Sequence, residues 1–170
     1  ERYRHEDKWV PCHKTIKQLA QAQVKGIQKP SRKIRALYDY IVKTMRYDKS
    51  GTGWGNGDAV WACSTKRGNC TDFHSLFIGM SRTQRIPARF EIGFPLPFDR
   101  ESGKILGYHC WAQAYAADQD LWIPMDATEA KKSGKSDDYF GTLPSNRIHF
   151  SQGRDIVLNP PQQGSPLNYF

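Results

Sequence analysis

No run in this sequence approaches the roughly 18 to 20 consecutive apolar residues that a membrane span requires, so no transmembrane segment is expected. No Cys-x-x-Cys pair occurs among the cysteines at positions 12, 63, 70 and 110, which leaves a zinc ribbon or a thioredoxin-type site without support. No RNP-like or helix-turn-helix signature accompanies the formal net charge of +8. The basic residues are scattered, the densest group being Lys25, Lys29, Arg32, Lys33 and Arg35. They read as a solvated basic face in preference to a nucleic-acid groove. Internal repeats are absent. The opening ERYRHEDKWV is polar and charged, so no signal peptide is read in the chain, and the lack of an initiating Met leaves room for one to have been removed.

What is present suits one domain over residues 1–170, with 38% hydrophobic residues sufficient for a single sizeable core. Four cysteines permit two disulfides in three possible connectivities without requiring any. Cys63 and Cys12 could pair in an oxidising compartment.

Helices come first. Ile16, Leu19, Ala20, Val24 and Ile27 recur at helical spacing over residues 14–28, interrupted by Gly26. Pro30 and Ser31 open a second helix, on which Ile34, Leu37, Tyr38, Ile41 and Met45 form one stripe. DKSGTGWGNGD, with four glycines in eleven residues, reads as a loop. Asp58 can then cap a short helix over AVWACS. Strands follow. RFEIGFPL alternates until Pro95 and Pro97 break it, and YHCWAQAYA (108–116) and LWIPMDA (121–127) flank a turn-forming ADQD. RIHFSQGRDIVL predicts another hairpin with Gly153 near its turn. Residues 159–170 predict an extended or loosely attached tail. Helices followed by strands argue for an α+β fold with an antiparallel sheet.

Between the two halves lies RGNCTDFHSLFIGMSR, residues 67–82. Phe73, Leu76, Phe77 and Met80 fall at i, i+3, i+4 and i+7, the apolar face of a buried helix. Cys70 stands in the first turn of that helix, after the flexible Gly68 and after Asn69, a good N-cap. Free amide groups and the helix dipole there stabilise negative charge, which is what a thiol nucleophile needs. Asp72 supports the same turn through the dipole.

His109 and Asp126 stand on neighbouring strands. If the intervening turn centres between Ala117 and Asp118, the two are directly opposite. If it centres one residue later, Asp126 faces Trp111, still on the side of His109. Either register puts carboxylate and imidazole within reach, because opposite and diagonal cross-strand neighbours touch. A thiol, an imidazole and a carboxylate so arranged suit acyl transfer through a thioester.

GNCTDFHSLFIGMSRTQRIPARFEIGF, then YHCWAQAY, then WIPMDAT resemble the transglutaminase-like superfamily of papain-like cysteine enzymes. The blocks span residues 67–128 in the family's order. The resemblance implies a helical lobe with the cysteine helix packed on an antiparallel sheet, Cys70 as nucleophile, His109 as base and Asp126 as orienting carboxylate. It implies a protein or peptide substrate, a peptidase or amidase with glutamine–lysine cross-linking as the other outcome, and export to the periplasm or cell exterior. The sequence lacks a D-x-D-x-D-G loop, so calcium activation of the animal type has no support, and no cofactor or metal is called for.

For the oxyanion, the Cys70 N–H is one expected donor. The family's upstream tryptophan points to Trp54 or Trp61 as a second, although each also suits packing. Trp111 shares the face of His109 and can either wall the acyl site or pack in the core. His74, one turn after Cys70, reads as a packed histidine beneath the site in preference to a metal ligand. Cys110 points to the face opposite His109, and His149 reads as a structural strand residue. Two other functions remain open beside an enzyme: a silent peptide- or polymer-binding module on the same fold, and a nucleic-acid binder suggested by charge alone.

Overall fold

A computed structural model describes residues 1–169. Helix α1 (Lys14–Gln23) buries Ile16 and Ala20. It stops earlier than the spacing predicts, because Gly26 turns the chain in the left-handed region at φ +79°. Helix α2 (Pro30–Thr44) has Pro30 in its first turn, where the missing N–H costs nothing, and buries Ile34, Leu37, Tyr38 and Ile41. Strands β1 (Arg46–Tyr47) and β2 (Arg67–Gly68) form a short parallel pair. Between them α3 (Ala59–Thr65) is capped by Asp58, whose carboxylate accepts from the N–H groups of Val60 and Trp61.

Helix α4 (Cys70–Thr83) is the centre of the molecule, buried from Cys70 through Ser81. It lies against a sheet of β3 (Ala88–Pro95), β4 (His109–Ala116), β5 (Leu121–Met125) and β6 (Arg147–Gln152), with α5 (Ala127–Ser133) following β5. The spatial order is β5-β4-β3-β6, antiparallel throughout. Phe90 pairs with Ala112 and Ile92 with Cys110 on the face that α4 covers, while Glu91 opposes Trp111 and Gly93 opposes His109 on the other. That second face is polar but paired: buried Glu91 accepts from the Trp111 indole at 2.7 Å and from Arg89 at 3.0 Å. This is the expected α+β arrangement, with the Cys70 helix packed on an antiparallel sheet.

Two expectations need correction. RIHFSQ is not half of a local hairpin around Gly153. It is the single edge strand β6, hydrogen-bonded to β3, and Gly153 donates to the Phe90 carbonyl. The tail is held down at its end. Buried Arg154 donates to the carbonyls of Asn56 and Gly57, to Ser75 Oγ and to the Asn168 side chain, while Tyr169 bonds the Gly55 carbonyl. The disulfide question that the sequence leaves open has this outcome: all four cysteines are free thiols, Cys12 exposed and Cys63 facing the interior beside Lys66. No helix among the described residues is long and apolar enough to cross a membrane.

Candidate active site

Cys70 is the first residue of α4. Asn69 caps the helix by accepting from the Thr71 N–H, and Asp72 reaches back to the Asn69 N–H, closing a capping box. Asp72 also accepts from the amides of Gly55 and Gly57 at 2.8 and 3.1 Å, which ties the glycine loop to the first turn. Burial pushes its carboxyl up, against those three backbone donors. Gly68 is required here: at φ +143° it brings the chain so close to Asp72 that any Cβ would overlap that side chain.

The β4–β5 register pairs Ala112 with Met125, the second of the two alternatives, so Asp126 continues opposite Trp111 and diagonal to His109. The His109 Nε2 lies 2.6 Å from Asp126 Oδ2. Asp126 is also the N-cap of α5, its Oδ1 accepting from the amides of Thr128 and Glu129 at 3.1 and 3.0 Å. Burial opposes its charge, but the charge and hydrogen bond of His109 and the charge of Arg147 hold the carboxyl well below the usual range. Burial likewise disfavours the His109 cation. The Asp126 charge and hydrogen bond, with Cys70 on the other side, outweigh it and push the imidazole up to about 9.

The Cys70 side chain meets two groups. A hydrogen bond with Cys110 lowers its thiol most, burial works against this, and the hydrogen bond and charge of His109 lower it further. Cys110 moves the other way, raised by burial and by Cys70, so it stays protonated as the donor. Cys110 does face away from His109, as its alternation requires, but the face it occupies is the one carrying the first turn of α4. Its sulfur lies 3.9 Å from Thr71 Oγ1 and 3.7 Å from His74 Nδ1.

His74 lies fully buried beneath the site. Its Nε2 is 3.1 Å from the Ala127 N–H and so must accept, which leaves the proton on Nδ1, donated to the Cys70 carbonyl at 2.8 Å. Burial keeps this ring neutral by lowering its pKa against the pull of Asp126 and Cys70. Its 3.7 Å approach to Asp126 is therefore no ion pair. The ring is a strut between the residue that carries the thiol and the residue after the carboxylate.

An open groove of about 580 Å³ has Cys70 and His109 on its lining, together with Phe98 and Leu106 of the β3–β4 loop, Tyr47, Lys132 and Arg147. None of the three tryptophans lines it. The Trp54 indole donates locally to the Gly51 carbonyl at 3.1 Å, and Trp61 packs against Gly53 under the Arg67 guanidinium. Trp111 lies one layer behind, its N–H spent on Glu91 and its ring under Arg147. His149 is exposed on β6, 6.1 Å from the Trp111 ring. Sequence reasoning missed Arg147, 2.7 Å from Asp126 Oδ2; it sits beyond the recognisable blocks, and only sheet pairing brings it back. No cluster of three or more His, Cys, Asp or Glu suited to a metal ion occurs among the described residues.

An uncharacterised protein of Haemophilus influenzae is 29% identical over 174 residues, covering 83% of this chain and 47% of its own length, so the chain spans about half of that relative. Among solved structures, a candidate cysteine protease from Cytophaga hutchinsonii superposes with a TM-score of 0.67 at 21% identity, covering 89% of this chain and 46% of the other. The periplasmic domain of TgpA from Pseudomonas aeruginosa gives a TM-score of 0.54 at 18% identity over 74% of this chain and 46% of its own. At these identities the likeness is one of fold. The model of the Transglutaminase-like superfamily matches residues 17–127, a stretch running from α1 through Cys70 and His109 to Asp126, and the chain belongs to that superfamily.

Proposed function

We propose that this protein is a cysteine-dependent acyl-transfer enzyme acting on peptide or amide bonds of a protein or peptide substrate. The observation that carries the reading is the junction of a helix-start thiol with an imidazole held on a buried carboxylate at 2.6 Å, the thiol and the imidazole both opening on one groove. In this reading the Cys70 thiolate attacks the carbonyl carbon. Negative charge develops on the carbonyl oxygen at the N-terminus of α4, where the Cys70 N–H has no intrahelical partner. The His109 imidazolium gives its proton to the leaving amine as the C–N bond breaks, leaving a thioester on Cys70. Asp126 keeps the ring oriented and its cation stabilised. A second nucleophile then loses a proton to His109 and releases the acyl group. Water gives hydrolysis, and a primary amine gives transamidation. The groove is open to solvent, which favours water.

The test is to incubate the protein with a mixed peptide library, with and without a primary amine, and to read product masses. Cleavage that disappears in Cys70→Ala and in His109→Ala supports hydrolysis, and amine-adducted glutamine supports cross-linking. Should Cys70 alkylate no faster than the other three thiols and no product depend on it, the enzyme reading falls and a peptide-binding module on this fold takes its place.

A further inference from the structure

Arg147 opens β6, outside the 17–127 stretch that matches the superfamily. Its Nη2 donates to Asp126 Oδ2 at 2.7 Å, the same oxygen that lies 2.6 Å from His109 Nε2. Side-chain exposure is 8% for Arg147 and nil for Asp126. The guanidinium lies over the Trp111 ring, 5.1 Å from its centre. Its Nε and Nη1 are buried with no hydrogen-bond partner among the described residues. A buried cation with most of its donors unused is a poor device for holding a fold together. Its one committed bond is to the carboxylate that orients His109.

The sheet is shaped to deliver it. Register shifts between Ile92 and Gly93 where β3 meets β6, an irregularity that turns the strand. At Gly93 the β6 backbone comes so close that a Cβ would overlap the Ile148 carbonyl oxygen. Only glycine admits that approach, and the residue before Ile148 is Arg147.

We propose that Arg147 is a positioning residue of this site: from the far edge of the sheet it holds Asp126 ionised, with Oδ2 fixed on His109, and so sets the pH range over which the Cys70–His109 ion pair exists. The inference rests on the acyl-transfer reading above. The other ionisable groups facing this cluster are His74 and Cys110 beneath it, Tyr47, Arg100, Tyr108, Glu129, Lys132 and Tyr139 around the groove, Tyr38 within reach of the Asp126 charge, and Glu91 behind Trp111. Loss of a positive charge makes every nearby proton harder to remove. The thiol, the imidazolium and the carboxyl then all titrate at higher pH, by roughly one to two units for a charge several ångströms away in a partly buried site.

The test is Cys70 alkylation by iodoacetamide between about pH 3 and 10, alongside the pH profile of turnover, since a thiol at a helix start beside an imidazolium titrates at about 3.5 to 7.5. Wild type is compared with Arg147→Met, Arg147→Gln and Arg147→Lys, each checked for folding by circular dichroism; Gln keeps a donor and polarity where Met fails to fold. Both neutral variants are expected to shift the acid and alkaline limbs upward together and to lower kcat roughly 10- to 100-fold at neutral pH, the size of one lost bond to a charged group. Lysine should restore most of the limb positions. Unmoved limbs in a folded neutral variant would overturn the role of Arg147 and leave the acyl-transfer reading standing. No low-pH labelling of Cys70 in the wild type would overturn both.

Discussion

Replacing Asp126 by Asn removes a charge and preserves a shape. The amide oxygen can still accept from the Thr128 and Glu129 N–H groups at the start of α5, where Asp126 now does so at 3.1 and 3.0 Å. What disappears is the anion facing His109. The imidazole is pushed up to about 9 from an ordinary 6.5, a difference of about 2.5 units, or about 3.4 kcal/mol at about 1.4 kcal/mol per unit. With a neutral partner the ring returns to its ordinary range, and burial takes it lower still. The Cys70 thiolate then loses the cation beside it. Alkylation of Cys70 at about pH 7 should slow by up to roughly 300-fold, the same 2.5 units expressed as a ratio, with exposed Cys12 as internal reference. The substitution also strands Arg147 as a buried cation, which costs about 3 to 5 kcal/mol and should appear in urea unfolding. Both measurements are needed, because the second effect does not depend on the first. A variant that is less stable but alkylates on the wild-type profile would refute the electrostatic argument.

Turnover should fall above about pH 9 as His109 loses the proton it must give to the leaving amine, whereas alkylation, which needs only the thiolate, should not. A parallel decline of the two would show that another group controls the alkaline limb. Asp72→Ala orphans the amides of Gly55, Gly57 and Asn69 and should cost roughly 3 kcal/mol or more, read by urea unfolding; a loss of under about 1 kcal/mol would mean the loop re-pairs with water. Gly93→Ala drives a methyl into the Ile148 carbonyl and should destabilise the protein by roughly 2 kcal/mol, with amide exchange rising first in β6. Unchanged exchange over Arg147–Gln152 would show that the strand gives way at no cost.

What was legible in the sequence was local. The caps of α3 and α4 follow from Asp58 and Asn69 because a capping side chain bonds amides only two or three residues away. The approach of His109 to Asp126 was legible through a tight turn that left two registers, both with the same face outward. Longer-range features were opaque. β6 reads as half of a hairpin because Gly153 looks like a turn, and nothing nearby says that its partner is β3, some 55 residues earlier by register (Gly93 with His149 and Pro95 with Arg147). The tail is polar in composition, yet it is held by a buried arginine whose acceptors are neutral carbonyls, a hydroxyl and an amide. Trp54 and Trp61 lie off the groove, and the Trp54 indole bonds the Gly51 carbonyl three residues away, a local contact that the family pattern does not reveal.

The clasp of Arg154, Asn168 and Tyr169 on the glycine loop has a consequence for the time at which the site comes into being. A chain made from its N-terminus releases the cysteine helix long before the segments that complete its surroundings. Synthesis proceeds at roughly 5 to 20 residues per second, so several seconds separate Cys70 from Arg147, and more pass before Tyr169. Through that interval the thiol is present without its full set of neighbours. In the proposed reading, Cys70 gains its hydrogen-bonding partners only when β4 has been made, and the last contact to Asp126 only when β6 has.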